Sequence, residues 1–151
     1  MLPKWHILFG FLATLILKFT TSLNDTILLV IFFSSFLIDV DHWLLYVYRK
    51  KDLSIKNAYN WFIEKKKKYL ILSAKEKRKY KHPLMIFHGI EFWILLFILS
   101  IFSKIFVFIL IGFAIHLLFD YLEILYLGEP LYIKFSQIWL CIKNKNKKKF
   151  Y

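Results

Sequence analysis

The chain has very little cysteine: Cys141 is the only one among its 151 residues. This count excludes an intramolecular disulfide, and it excludes a metal site built from several cysteines. The sequence also shows no internal repeat and no segment with the composition of a separate soluble domain. Any metal ion that this protein binds must therefore be held by nitrogen and oxygen ligands.

Lysine and arginine are missing from the positions where they would neutralise buried acids. The apolar stretches contain five carboxylates and four histidines with no basic side chain beside them: Asp39, Asp41, Glu91, Asp120 and Glu123, with His6, His42, His88 and His116. One ionised carboxylate in a lipid-spanning helix costs roughly 2.5–3.5 kcal/mol, so five without partners would cost on the order of 12–17 kcal/mol. We therefore expect a bound metal cation to compensate this charge.

The overall composition is that of a membrane protein. Hydrophobic residues make up 59% of the chain and aromatic residues 21%, with a mean hydropathy of +0.53. Soluble domains contain roughly 45–50% apolar residues. The net charge of +12 arises from basic residues that cluster beside the apolar stretches. There they favour anionic lipid headgroups as partners, and we expect no nucleic acid.

The apolar stretches predict an all-α polytopic fold with four transmembrane helices. A single membrane domain would cover residues 1–142, and residues 143–151 would form a disordered polybasic tail. The four predicted spans are residues 5–23, 26–48, 83–102 and 105–127. The first span has an uninterrupted core of only 12 residues, 6–17, which also fits a signal peptide. Pro83 suits a first helical turn, and Gly128 with Pro130 is a helix-stop pattern.

The loop between the second and third spans, residues 49–81, carries 13 lysines and arginines. It is interpreted as a solvated, lipid-facing loop. Within it, Ile55, Tyr59, Phe62 and Ile63 have helical spacing and could form a helix lying on the membrane surface. The loop and the tail hold nearly all the basic residues, so the positive-inside rule places both termini in the cytoplasm and the protein in the cell (plasma) membrane.

This topology places the polar residues of all four spans in the cytoplasmic half of the bilayer. Within the fourth span, His116, Asp120 and Glu123 lie within about 60° of helical arc. Pairs three residues apart, such as Asp39 with His42, are also neighbours on a helix. Asp41 lies about 100° from His42, which suits a second metal ion or a hydrogen-bonding role.

Several of these residues also have simpler interpretations. A single membrane histidine commonly bonds to a neighbouring helix, Glu123 could reach the interface, and His82 could be an interface residue. Gly10, one turn from His6, could allow a close approach of another helix. The convergence of four spans on one depth is what favours a metal site.

Histidine and carboxylate ligands suit a divalent metal: zinc first, then manganese or iron. The number of candidate ligands is compatible with one or two ions. A metal with an open position makes a hydroxide nucleophile from bound water. The catalytic acid or base would be a carboxylate that is not a ligand, with Glu91 as the leading candidate and Asp41 as the second.

At these residues the chain resembles the YdjM-like family of predicted membrane-bound metal-dependent hydrolases. The matching segments are residues 5–10 (WHILFG), 38–42 (IDVDH), 82–89 (HPLMIFHG) and 112–120 (GFAIHLLFD). The sequence departs from the family pattern at Ile38, where the family has proline. The third segment also lacks an arginine and a threonine, and its two histidines are one residue further apart.

The resemblance implies a polytopic metal-dependent hydrolase and says little about the substrate. The expected reaction is hydrolysis of an ester or phosphoester of a small molecule or a lipid, because the site would be accessible from within the bilayer. The expected metal ligands are His6, Asp39, His42, His88, His116 and Asp120, with Asp41 at a second metal or in support. The alternatives are a divalent-metal transporter, although the outer halves of the spans are apolar, and a non-catalytic membrane scaffold with a degenerate site.

Overall fold

The computed structural model describes residues 3–148, apart from the side chain of Ala74. Over this range the chain is helical and contains no β-strand, which confirms the all-α prediction. The helices are α1 (Pro3–Thr20), α2 (Asp25–Leu37), α3 (Val40–Lys50), α4 (Ile55–Leu70), α5 (Ala74–Lys77), α6 (Ile90–Phe102), α7 (Ile105–Tyr126), α8 (Tyr132–Phe135) and α9 (Gln137–Asn144), with one 3₁₀ turn at Ile86–His88.

Two helical segments within residues 3–148 are long and apolar enough to span a membrane. They are Asp25–Lys50, which joins α2 and α3 over 26 residues, and α7 with 22 residues. The third predicted span is shorter than expected, because α6 has 13 residues and is about 20 Å long, whereas the hydrocarbon core is about 30 Å thick. The structure thus provides two candidate spans where four were expected.

The helix that follows the basic loop begins later than predicted. Pro83 is not in a first helical turn, because α6 starts at Ile90. The intervening residues contain only the 3₁₀ turn Ile86–His88. At the other end of the chain's longest helix, the predicted stop is confirmed: α7 ends at Tyr126, and Gly128 follows with a φ of 62°, a conformation that favours glycine.

Helix α2 lies at the centre of the fold and packs against α1 on one side and α7 on the other. Small residues make both contacts possible. A Cβ atom at Gly10 would overlap the Ser35 hydroxyl, and a Cβ atom at Gly112 would overlap the Ser34 hydroxyl. The close helix approach predicted at Gly10 is therefore confirmed, and Gly112 allows α7 an equally close approach to α2.

An apolar core joins α2, α6 and α7. Ile38, Leu96 and Phe113 are buried at its centre. Many other large apolar side chains face outwards, for example Phe19 and Phe102, which are 80% and 81% exposed. Exposed apolar surface on this scale is expected of helices that contact lipid.

The basic loop is more structured than a solvated loop. Helix α4 forms over the predicted apolar pattern and packs against α3, with Ala58 buried between them. The polybasic tail is also ordered at its start, since α9 continues to Asn144 and the backbone N–H of Lys148 donates to the carbonyl of Lys79. Lys149 and the residues after it lie outside the described residues.

Candidate metal centre

The predicted second span is interrupted at the point where its polar residues begin. The sequence suggests one helix over residues 26–48, but α2 ends at Leu37 and α3 starts at Val40. Just before the break, the hydroxyls of Ser34 and Ser35 donate to carbonyls of their own helix, at Val30 and Phe32. Such side-chain bonds compete with the helical backbone pattern. The Asp39 carboxylate projects from this break and is 10% exposed.

The segment before α6 delivers His88 to the same place without a helix. The backbone N–H of Met85 donates to Gln137 Oε1 at 2.8 Å, and the N–H of Phe87 donates to Asp41 Oδ2 at 3.2 Å. These bonds replace the helical pattern and hold the 3₁₀ turn in position. His88, at the end of the turn, is completely buried.

Four side chains place ligand atoms around the two buried imidazoles of His88 and His116. The atoms are His88 Nε2, His116 Nε2, Asp39 Oδ1 and Asp120 Oδ2. The two nitrogens are 3.2 Å apart, and each lies 3.1 to 3.7 Å from the two carboxylate oxygens. A tetrahedral ion with bonds of about 2.0–2.1 Å has ligand atoms about 3.3 Å apart. The three atoms of His88, His116 and Asp120 therefore fit one face of a tetrahedral metal site, and Asp39 Oδ1 lies near both nitrogens but in a different ligand group from Asp120.

The hydrogen bonds on the far side of both imidazoles decide which nitrogen faces the cluster. Nδ1 of His88 lies 2.9 Å from Asp41 Oδ2, and Nδ1 of His116 lies 2.9 Å from the carbonyl oxygen of Ser35. Since both partners are acceptors, each neutral ring carries its proton on Nδ1 and a lone pair on Nε2. Two lone pairs 3.2 Å apart repel unless a cation lies between them. Carboxylate and carbonyl partners of this kind orient metal-binding histidines in general.

His6 and His42 extend the cluster on either side. His6 is 1% exposed, its ring stacks on that of His116, and within residues 3–148 neither of its nitrogens has a hydrogen-bond partner. Its Nε2 faces the other carboxylate oxygens, 3.4 Å from Asp120 Oδ1 and 3.9 Å from Asp39 Oδ2. His42 Nε2 lies 3.3 Å from Asp39 Oδ1. Both carboxylates could therefore bridge between two positions.

Six of the seven predicted ligands lie in overlapping groups that could hold a metal ion. The groups are His6–Asp39–His116, Asp39–His42–His88 and His88–His116–Asp120. Asp41, the seventh, belongs to none of them. Its Oδ2 accepts from His88 and from the backbone N–H of Phe87. Of the two roles expected for Asp41, the structure shows the hydrogen-bonding one.

A lysine reaches this cluster, so the expectation that no ammonium group accompanies the acids is wrong. Lys134, on α8, places its Nζ on Asp120 Oδ2. Burial lowers the pKa of Lys134, but the carboxylates of Asp120 and Asp39 outweigh it and the net shift is upwards. When Asp39, Asp41 and Asp120 are ionised they carry three negative charges, and Lys134 neutralises one. The remaining two match one divalent cation.

The other predicted residues have structural partners elsewhere. Glu91, the leading catalytic candidate, accepts from the Ser136 hydroxyl at 2.5 Å and from the backbone N–H groups of Gln137 and Ile138 at 3.1 Å. It thus caps the start of α9 and belongs to none of the three groups. Glu123 forms an ion pair with Lys66 of α4 at 2.7 Å.

His82, interpreted as an interface residue, is buried instead. Its backbone N–H and carbonyl bond to the side-chain amide of Asn144 at 3.1 and 2.8 Å. Burial, with a smaller contribution from Lys147, lowers the pKa of its imidazole to about 4. His82 therefore helps to attach the end of the basic loop to α9.

Sequence reasoning missed Lys134, the Ser35 carbonyl and Phe62, whose ring lies 5.1 Å from that of His42. The carbonyl is a backbone group and carries no sequence signal. Lys134 lies outside the four predicted spans and reaches the site because the chain reverses at Gly128. The pattern of Phe62 predicted a helix on the membrane surface, which gave no reason to place it beside the cluster.

Comparison with known proteins gives no further assignment: no family model, curated protein or solved structure matches the chain.

Proposed function

We propose that this protein is a membrane-embedded, metal-dependent hydrolase of an ester or a phosphoester, small or lipid-linked. The observation that supports the proposal is the buried group of His88 Nε2, His116 Nε2 and Asp120 Oδ2, at the spacing of three ligands of a tetrahedral metal site, with Asp39 Oδ1 near both nitrogens. Zinc fits this spacing and ligand set first, with manganese or iron as the alternatives. The resemblance to the YdjM-like hydrolases adds support from the same residues.

A metal bound here would activate water as a nucleophile and polarise the scissile bond. The protein's own contribution is to hold the ligands and keep their protonation fixed. Asp41 and the Ser35 carbonyl keep the His88 and His116 lone pairs directed at the ion. Among the described residues, the buried Oδ1 of Asp41 has no hydrogen-bond partner, so this oxygen is available for the catalytic acid or base role. Glu91 is occupied as a helix cap, which favours Asp41 in that role.

In this proposal α1 and α6 join α2, α3 and α7 within the bilayer, and both termini lie in the cytoplasm of a cell whose plasma membrane contains the protein. The packing of α1 along α2 and of α6 along α7 supports this arrangement. It puts the cluster in the cytoplasmic half of the membrane. Lys66 and the other basic residues of α4 then lie at the surface that anionic headgroups occupy.

The metal-transport alternative lacks a supporting observation. A transport path would need polar groups that continue beyond the cluster towards the other side of the membrane. In the described part of the chain, Ile38, Leu96 and Phe113 pack together, and Ile38 directly precedes Asp39 in the sequence. This apolar core favours a site that is reached from one side.

The test is metal content, measured by elemental mass spectrometry on detergent-purified protein. We expect wild type to contain stoichiometric transition metal and Asp39→Asn to lose it, because Asp39 contributes to two of the three ligand groups. Asp25→Asn is the matched control, since its side chain at the start of α2 is 77% exposed and pairs with Lys18, away from the cluster. Equal metal in wild type and Asp39→Asn would contradict the site, and loss in both variants would indicate a general effect of the substitution. A site that binds metal would then be assayed with phosphoesters and esters.

A further inference from the structure

The segment that carries Lys134 is attached to the rest of the protein at two places that follow the lysine. We call residues 127–148 the C-terminal arm. Two residues after Lys134, Ser136 and the first N–H groups of α9 bind Glu91 of α6. Further along, Asn144 of α9 binds the backbone of His82. These anchors involve neither Asp120 nor its neighbours, so the position of Lys134 over the cluster is built into the fold.

The ammonium group of Lys134 contacts an oxygen that a bound metal ion would also use. It contacts Asp120 Oδ2, the oxygen that lies 3.1 Å from His116 Nε2 and 3.4 Å from His88 Nε2. A metal ion at the tetrahedral position would bind this same oxygen. Two cations that share one oxygen repel strongly in a site of low dielectric constant. A bound metal would therefore displace Lys134 from Asp120 but, because of the anchors, leave it beside the site.

We propose that Lys134 holds Asp120 when metal is absent and binds the anionic phosphoryl group of the substrate when metal is present. This assignment rests on the proposed function and narrows it to phosphoesters. With Asp39, Asp41 and Asp120 ionised, one divalent ion and Lys134 together balance their three negative charges. A substrate oxyanion then finds two adjacent positive centres, the metal and the ammonium. A neutral carboxylic ester has no ground-state charge to engage the second one.

Metal titration tests the first half of the proposal. Metal-free protein is titrated with Mn²⁺, for wild type, Lys134→Met, Lys134→Arg and the control Lys143→Met, which alters an exposed lysine over the Trp139 ring. We expect Lys134→Met to bind Mn²⁺ at least tenfold more tightly than wild type, since it has the length of lysine without the competing charge. Lys134→Arg and Lys143→Met should resemble wild type. An unchanged or weaker affinity in Lys134→Met, with its helical content and melting temperature intact, would overturn the competition.

Anion binding tests the second half. Inorganic phosphate and acetate, the anions that hydrolysis of a phosphoester and of a carboxylic ester would leave, are titrated into the Mn²⁺-loaded proteins by calorimetry. We expect phosphate to bind wild type at least tenfold more tightly than it binds Lys134→Met, and acetate to bind both weakly. Equal phosphate affinity in the two proteins, or acetate binding as tight as phosphate, would refute the phosphoester assignment.

A measurement on wild type alone keeps the proposal testable if Lys134→Met does not fold. The rate at which an amine-reactive reagent labels Lys134, read by mass spectrometry, should rise when Mn²⁺ is added, while the rate at Lys143 stays constant. An unchanged rate at Lys134 in metal-loaded protein overturns this assignment alone. A failure of wild type to bind any metal would instead overturn the proposed function and this assignment with it.

Discussion

The two ends of α2 and α7 place very different demands on their side chains. At one end, residues such as Leu29 and Ile105 are 54% and 47% exposed, so the fold does not fix the orientation of their side chains. At the other end, His116 and Asp120 are 1% exposed, and their polar atoms have defined neighbours. The apolar end of these two helices is permissive, because it does not fix the orientation of its side chains. The polar end is specified, because it fixes both the position and the protonation of its side chains.

The two ends also differ in the regularity of the backbone around them. The break at Asp39 and the non-helical approach to His88 both lie at the polar end. Irregular backbone that is buried away from water is stable only where other protein groups satisfy its hydrogen bonds. Here the Asp41 carboxylate and the Gln137 amide do so, at Phe87 and Met85. We therefore expect substitutions at the polar end to change metal binding, and substitutions at the apolar end to change little.

The largest effect is expected at Asp41, at the polar end. Its carboxylate contacts no ligand atom of the site but bonds to Nδ1 of His88 and so fixes the tautomer of that ring. Asp41→Asn keeps the size of the side chain and can present an N–H to Nδ1, which would put the ring proton on the metal-facing Nε2. Loss of such an orienting partner typically weakens metal affinity by about 10–100-fold. Competition of wild type and variant with a chelator of known affinity measures this. Helical content measured in parallel should be unchanged.

Asp52→Asn is the matched control for this substitution, because Asp52 lies outside the cluster and bonds Tyr46, Ser54 and Asn57 instead. It should leave metal affinity at the wild-type value. If Asp41→Asn also retains full affinity, then the tautomer of His88 is not what prepares this ligand for the metal.

The contact between α2 and α7 offers a second, smaller effect. Gly→Ala in a helix usually stabilises by roughly 0.5–1 kcal/mol, but a Cβ at position 112 would overlap Ser34 and the carbonyl of Ile31. We expect Gly112→Ala to destabilise by about 1–3 kcal/mol, a cost typical of overpacking. Thermal unfolding in detergent, followed by circular dichroism, measures the change. The double variant Gly112→Ala with Ser34→Gly should recover part of the loss, and a stabilising Gly112→Ala would show that the helices are further apart.

The sequence predicts much of this fold because its strongest signals are local. Helix α7 was predicted within one residue, since its apolar run and its glycine stop are both contiguous in the chain. The ligand-type residues were recognised for a similar reason: a histidine or aspartate in an apolar run is conspicuous wherever it lies. Such a local pattern carries no information about a partner residue from a distant part of the chain.

Three errors illustrate this. Lys134 reaches Asp120 by tertiary folding, so the local count of charges around Asp120 gave no sign of it. Glu91 has the spacing of a site residue relative to His88, but α9 takes its carboxylate as a cap. The break at Asp39 lies in a run that reads as continuous helix, although two serine hydroxyls bond to carbonyls of α2 just before it. In the first two cases a nonlocal contact outweighed a local pattern.

The smallest effect is expected at the apolar end. Phe102, at the end of α6, is 81% exposed, so Phe102→Ala removes contacts with lipid or detergent but few with protein. Surface substitutions of this kind usually change stability by no more than about 0.5 kcal/mol. The same substitution at the buried Phe113 should cost about 3–5 kcal/mol. Melting temperatures in detergent compare the two, and metal content should be unchanged in Phe102→Ala. A large loss of stability in Phe102→Ala would mean that this face of α6 packs against another protein surface. That result would contradict the proposed difference between the apolar end and the polar end.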